Sequence, residues 1–202
     1  MNMRKHYIMG MVLVVFLLIV VLVALFQFGI IGRKTYDHVY IIGIDGAGNY
    51  YKDIIAPFFQ KTFNQRNVTY QMSVEPPSIS AENWGSMIYG VSPSFHGLTN
   101  SIVTEKRFAG TLESVFSKVH KKYPDANIAS IVGWSPINYG IIDGFDGLYL
   151  YPNEVLKQSL TNQEVVNAVK AYIGNYEPKL MFIQFDDVDH AGHTYGWGSN
   201  KY

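Results

Sequence analysis

The spacing of apolar positions along this chain changes several times, and each spacing predicts a different element. From Ile8 to Phe26 every residue is apolar or glycine, and Gln27 is the only polar interruption before Gly32. A bilayer core of ~30 Å takes about 20 such residues as a helix, so residues 8–32 are expected to span a membrane. Basic pairs flank the run at Arg4-Lys5 and Arg33-Lys34. The competing reading is a cleaved signal peptide, whose apolar region is typically ~7–15 residues and ends in a small-x-small site. This run is longer, and Leu25-Phe26-Gln27-Phe28 offers no such site. An uncleaved signal anchor is therefore favoured, with a short tail at 1–7, a linker at 33–37 and a domain over 38–202. The two flanks carry similar basic charge, so the positive-inside rule does not orient the helix. The simpler arrangement keeps the tail inside and everything after Thr35 outside, which makes the domain extracytoplasmic.

Beyond the anchor, strand-length and helix-period segments alternate. His38 to Ile44 is a β-branched apolar run closed by Asp45-Gly46-Ala47-Gly48. Tyr50 to Asn64 has helical spacing, with Ile54, Ile55, Phe58, Phe59 and Phe63 on one side. Val68 to Val74 alternates as a strand, and Pro76 and Pro77 cannot continue its ladder. Ala81 to Tyr89 reads as a short helix closing at Gly90. A further helix is expected from Thr111 to Lys122, with Thr111 as N-cap and Leu112, Val115, Phe116 and Val119 buried. Asn127 to Val132 reads as a strand, Asn162 to Ile173 as a helix and Lys179 to Phe185 as a strand. Strands joined by helical crossovers imply an α/β fold, with a mostly parallel sheet and helices on both faces.

Charge and composition narrow the partners. Lysines and arginines number 16, equal to the aspartates and glutamates, and the basic residues are scattered rather than striped, so no nucleic-acid polymer is expected as a partner. The chain has no cysteine, so any metal must be held by His, Asp and Glu.

In an open parallel sheet, functional residues collect beyond the carboxyl ends of the strands. Three places put chemistry there: Asp45 after the first strand, Ser78 and Ser80 after the second, and "FDDVDHAGHTYG", Phe185 to Gly196, at the last. Asp189 and His193 stand four apart, a spacing from which both can reach one cation, and Gly192 permits a close approach. Asp187 and His190 add possible donors. The bland reading is a polar loop of turn aspartates and solvated histidines, but three aspartates and two histidines fall within eight residues. Ser80 stands at the start of its helix, where backbone N–H groups and the helix dipole favour an alkoxide and a phosphoryl group. Asn83 can turn its amide toward the same oxygen. A plain N-cap serine and a surface asparagine fit that spacing equally well.

Asp45, then Ser80-Ala-Glu-Asn83 running into Tyr89-Gly90, then Pro93-Ser-Phe-His96-Gly97, and finally Asp189-x-x-Gly192-His193-x-Tyr195-Gly196 together resemble the alkaline phosphatase superfamily. The nearest likeness is to its type I phosphodiesterase and nucleotide pyrophosphatase branch. It runs from about Val39 to Gly196, with little contributed by 134–176. The resemblance implies a metal-dependent hydrolase of phosphate esters, acting on a small-molecule substrate through a Ser80-phosphoryl intermediate. It implies that Asn83 holds a phosphate oxygen. Asp45 and Ser80 would bind one divalent metal ion, and Asp189 with His193 a second. Zinc suits such nitrogen and carboxylate donors, and manganese is the alternative.

Family members also take ligands from an Asp-His pair and a later His beyond the equivalent of His193. These are not found before Tyr202, so the chain is expected to be the N-terminal part of a longer enzyme, with an incomplete sheet that exposes apolar surface. A formylglycine sulfatase would need x-Pro-x-Arg after its nucleophile, which Ser80-Ala-Glu-Asn-Trp84 lacks. A phosphomonoesterase of the same superfamily and a non-catalytic membrane-anchored binding domain are the alternatives. Trp84, Tyr89 and Phe95 could offer an aromatic face to a flat leaving group, though packing of the helix on the sheet is the better reading.

Overall fold

The structure is a computed structural model, and it describes residues 3–27, 36–48, 50, 72–106, 110–142, 156–157 and 159–202. The chain divides into two units, Met1–Asp37 and His38–Tyr202. In the first, α1 (Met3–Gln27) is one uninterrupted helix. Its described side chains, 11–25, are all apolar, and those from Met11 to Val23 are exposed. Among the described residues no helix is long and apolar enough to cross a membrane.

The second unit is α/β. Its sheet has the order β1-β4-β2-β3, with β1 Val39–Ile44, β2 Ile128–Val132, β3 Leu156–Lys157 and β4 Leu180–Phe185. All pairings among these strands are parallel, Val39 to Ile44 lying in register with Leu180 to Phe185, and Ile128 to Val132 with Leu180 to Gln184. The helices are α2 (Ser80–Tyr89), α3 (Pro93–His96), α4 (Asn100–Glu105), α5 (Val115–Lys122), α6 (Asn162–Asn175) and α7 (Asp187–Tyr195), with a π-helix over Ile137–Ile141.

Alternation along the strands divides the core into two layers. Ile128, Val132, Leu180 and Phe182 face Trp84, Ile88 and Tyr89 of α2, Val103 of α4, Phe116 of α5, and Ile137 and Ile141 of the π-helix. Ala129, Ile131, Met181 and Ile183 point the other way, onto Val165, Ala168 and Tyr172 of α6. Helices thus cover both faces of the central strands. β1 is less covered: Tyr40, Ile42 and Ile44 are exposed, Ile42 by 63 %.

Local chemistry sets the element boundaries. Thr161 and Glu164 form a reciprocal capping box that starts α6 where the sequence predicts it. The expected helix from Thr111 starts one turn later, because Ser114 supplies the cap by accepting from Ser117 N at 3.2 Å. Most of the predicted helix 50–64 and residues 68–71 of the predicted strand lie outside the described residues. The described remainder of that strand, 72–74, is not strand. Just beyond it the side chain of Asn83 takes the backbone groups of Glu75, accepting from Glu75 N at 2.9 Å and donating to Glu75 O at 3.2 Å. The Pro76–Pro77 bond is cis. The short helices α3 and α4, the π-helix and β3 are elements that the sequence pattern does not announce.

Candidate functional site

β1 and β4 are neighbours, so the residues after their carboxyl ends meet. Asp45 N donates to Phe185 O at 2.9 Å, which continues the β1–β4 pairing by one residue. The chain then turns at Gly46, whose φ of 72° is a left-handed conformation. A Cβ there would lie 2.5 Å from Asp189 Cα, so a side chain at Gly46 would hold Asp45 away from the first turn of α7. Asp189 and His193 share one face of that helix, with His193 Nε2 and Asp189 Oδ2 3.5 Å apart. Three of the sequence-predicted residues, Asp45, Asp189 and His193, are thereby brought together from two distant segments.

The electrostatics of this junction are unfavourable to carboxylates. Burial pushes the Asp189 carboxyl above its ordinary value, the charge of Asp45 adds to the push, and His193 opposes it. Burial likewise raises Asp186, the residue after β4, against the effect of its hydrogen bond to Gln184, and the charges of Asp45 and Asp187 raise it further. The fully buried Gln184 holds Asp186, donating from Nε2 to Asp186 Oδ1 at 2.9 Å.

Ser80 is the first residue of α2, with Ile79 at the N-cap in extended conformation. It is therefore not itself the cap. Of the leading N–H groups, that of Ala81 donates to Asn100 Oδ1 at 2.9 Å, a capping contact that sequence spacing does not reveal. Asn83 does not turn toward the serine: its amide donates to the carbonyls of Glu75 and Ile79 and so secures the approach to the helix. Trp84, one turn after Ser80, donates from Nε1 to Asp45 Oδ2 at 2.9 Å and so joins α2 to the carboxylate junction.

His96 is a buried structural residue. Its Nδ1 accepts from Leu98 N at 3.0 Å, so the ring proton sits on Nε2, 3.1 Å from the carbonyl of Glu82 and 3.2 Å from Ser86 Oγ. Burial holds its pKa below the usual value. Trp84 and Tyr89 belong to the core, as the packing reading expects, while Phe95 is 78 % exposed. The close approach at Gly192 is made by Trp197, whose ring lies against the helix backbone there and edge-on to His193 at 5.2 Å between centroids.

The donors fit a divalent cation in kind, because Asp189 and His193 offer oxygen and nitrogen and the Asp189 carboxylate is disfavoured without a compensating charge. They fall short in number: among the described residues, no group of three or more His, Asp or Glu side chains converges closely enough to hold one. Asp186, Gln184 and Asn100 are neighbours of the candidate site that sequence reasoning did not name, and it read Trp84 only as an aromatic face or a packing residue, not as a partner of Asp45. Only Asp186 carried a signal, its place in the Asp-Asp-Val-Asp run. Compared with known proteins, the chain matches no family model and no curated protein.

Proposed function

We propose that this protein is a metal-dependent hydrolase of phosphate esters, a phosphodiesterase of the alkaline phosphatase superfamily's type I phosphodiesterase and nucleotide pyrophosphatase branch. The observation that carries the reading is the junction itself. Asp45 and the Asp189–His193 pair meet at adjacent strand ends, and Asp45 is hydrogen-bonded to the helix that Ser80 begins. Membrane attachment through α1, with the second unit extracytoplasmic, is part of the same proposal and is supported by a single helix whose described side chains are all apolar.

In this reading the Ser80 hydroxyl loses its proton and Oγ attacks phosphorus. The bond to the leaving alcohol breaks, and that alcohol departs with a proton. A water then attacks the phosphoryl-serine, releasing the monoester and restoring the hydroxyl. The start of α2 presents its dipole to the phosphoryl group throughout. Asp45, Asp189 and His193 would hold divalent cations, zinc by the donor set, which when bound supply Lewis-acid activation and charge neutralisation. Asp189 needs that neutralisation, since burial and the charge of Asp45 both oppose its ionisation.

The test is hydrolysis of bis(p-nitrophenyl) phosphate and p-nitrophenyl phosphate by the full-length protein in detergent with Zn²⁺ or Mn²⁺. Expected are preferential diester turnover, loss with a chelator, and a fall of about 10³-fold or more in Ser80→Ala. Preference for the monoester would place the protein among the phosphomonoesterases. Turnover of neither ester, or undiminished turnover in Ser80→Ala, would overturn the catalytic assignment.

A further inference from the structure

Trp84 leaves α2 on the same face as Ser80, one helical turn on. Its ring is only 7 % exposed and packs edge-to-face on Phe182, with centroids 5.8 Å apart. It also lies directly over Gly43 of β1, where an added Cβ would fall 2.3 Å from the ring. The indole is thus locked by packing before its polar atom is considered. That atom, Nε1, donates to Asp45 Oδ2 at 2.9 Å, while Asp45 Oδ1 accepts from Gly46 N at 3.0 Å. Both carboxylate oxygens are therefore held, one of them by the helix that starts at Ser80. The other core aromatic of α2 behaves differently: Tyr89 directs its hydroxyl to a backbone carbonyl, that of Ile141, 2.5 Å away. Burial of an aromatic ring requires an acceptor for its polar atom but does not require a carboxylate at a strand end.

Resting on the phosphate-ester reading, we infer that Trp84 is a positioning residue, fixing the Asp45 carboxylate and tying it to the helix that bears Ser80. Cation ligand and nucleophile then keep one spacing, set by the rigid contact of an indole with Gly43 and Phe182. Partners of this kind typically change metal affinity by about 10–100-fold when removed.

Trp84→Phe removes the N–H donor and keeps an aromatic ring. Replacement of Trp84 by 3-benzothienylalanine, with sulfur in place of the N–H, keeps the bicyclic shape as well. In the full-length protein in detergent, Mn²⁺ affinity is measured by titration, alongside the melting temperature of the metal-free protein and kcat and KM for bis(p-nitrophenyl) phosphate. The expected result for the benzothienyl protein is an almost unchanged melting temperature, Mn²⁺ affinity lower by about 10-fold or more, and a fall in kcat with KM held. Unchanged affinity and turnover would overturn the positioning role. So would failure of the benzothienyl protein to fold, which would assign the N–H to the fold alone. A wild-type protein that neither binds Mn²⁺ nor turns over either ester fails at a different point, and overturns the phosphate-ester reading itself.

Discussion

Gln184, fully buried on β4, couples the end of β2 to Asp186: its Oε1 accepts from Gly133 N at 3.0 Å and Trp134 N at 2.9 Å, while its Nε2 holds Asp186 Oδ1. One side chain thus closes the carboxyl ends of two neighbouring strands. Gly133 N has a second acceptor in the Gln184 carbonyl at 3.1 Å, so loss of the side chain orphans chiefly Trp134 N. Gln184→Leu keeps most of the volume and should destabilise the protein by about 1–3 kcal/mol, measured by urea unfolding. A change below about 0.5 kcal/mol would mean that water replaces the amide.

Phe182 joins the sheet to two helices, ring edges meeting Trp84 at 5.8 Å and Phe116 at 6.4 Å between centroids. It has no solvent exposure. Phe182→Ala should therefore cost about 3–5 kcal/mol, and Phe182→Leu distinctly less. Equal, small losses in both would show that the layer between β4 and α2 collapses readily around a smaller residue.

Periodicity made the central strands and α6 legible, because a strand buried on both faces reads as a continuous apolar run and α6 announces itself with Thr161 and Glu164. The meeting of Asp45 with Asp189 was legible too, since both follow strands and strand ends are where parallel sheets gather polar residues. What the sequence could not reveal depends on side chains reaching across elements. Asn83 pairing with the backbone of Glu75, Asn100 capping α2 and Trp84 bonding Asp45 link residues whose separation carries no periodic signal. The Pro93-to-Gly97 motif was visible as a string, but its histidine proves to be an internal strut between α2 and α3.

His96 gives the fold a pH dependence with a definite sign. Its folded pKa lies below the ordinary 6.5, chiefly because burial penalises the charged ring. Below pH 6.5 the unfolded chain binds a proton that the folded chain does not, so stability is complete above that value and is lost as pH falls toward the folded pKa. Protonation would also remove the Nδ1 acceptor of Leu98 N. The urea midpoint should drop between pH 7 and pH 5, and His96→Gln, though less stable at pH 7, should show a flatter dependence. Parallel curves for the two proteins would assign the acid sensitivity to other groups.

Asp189 sets function against stability. Its carboxylate is partly buried and faces the charge of Asp45, both of which work against ionisation in the folded state. The folded state therefore holds its proton more tightly than the unfolded chain, and near neutral pH the ionised group subtracts from stability. Asp189→Asn removes the charge at nearly constant volume. In the metal-free protein it should raise the melting temperature, most visibly at low ionic strength, where repulsion from Asp45 is least screened. The same substitution should lower divalent-metal affinity by more than the about 10–100-fold typical of outer partners, and diester turnover with it. Metal content is read by equilibrium dialysis and stability by thermal unfolding with a chelator present. Higher stability with less metal would show that the carboxylate is kept for the cation at a cost to the fold. Unchanged metal content would remove Asp189 from the ligand set, whatever its effect on stability.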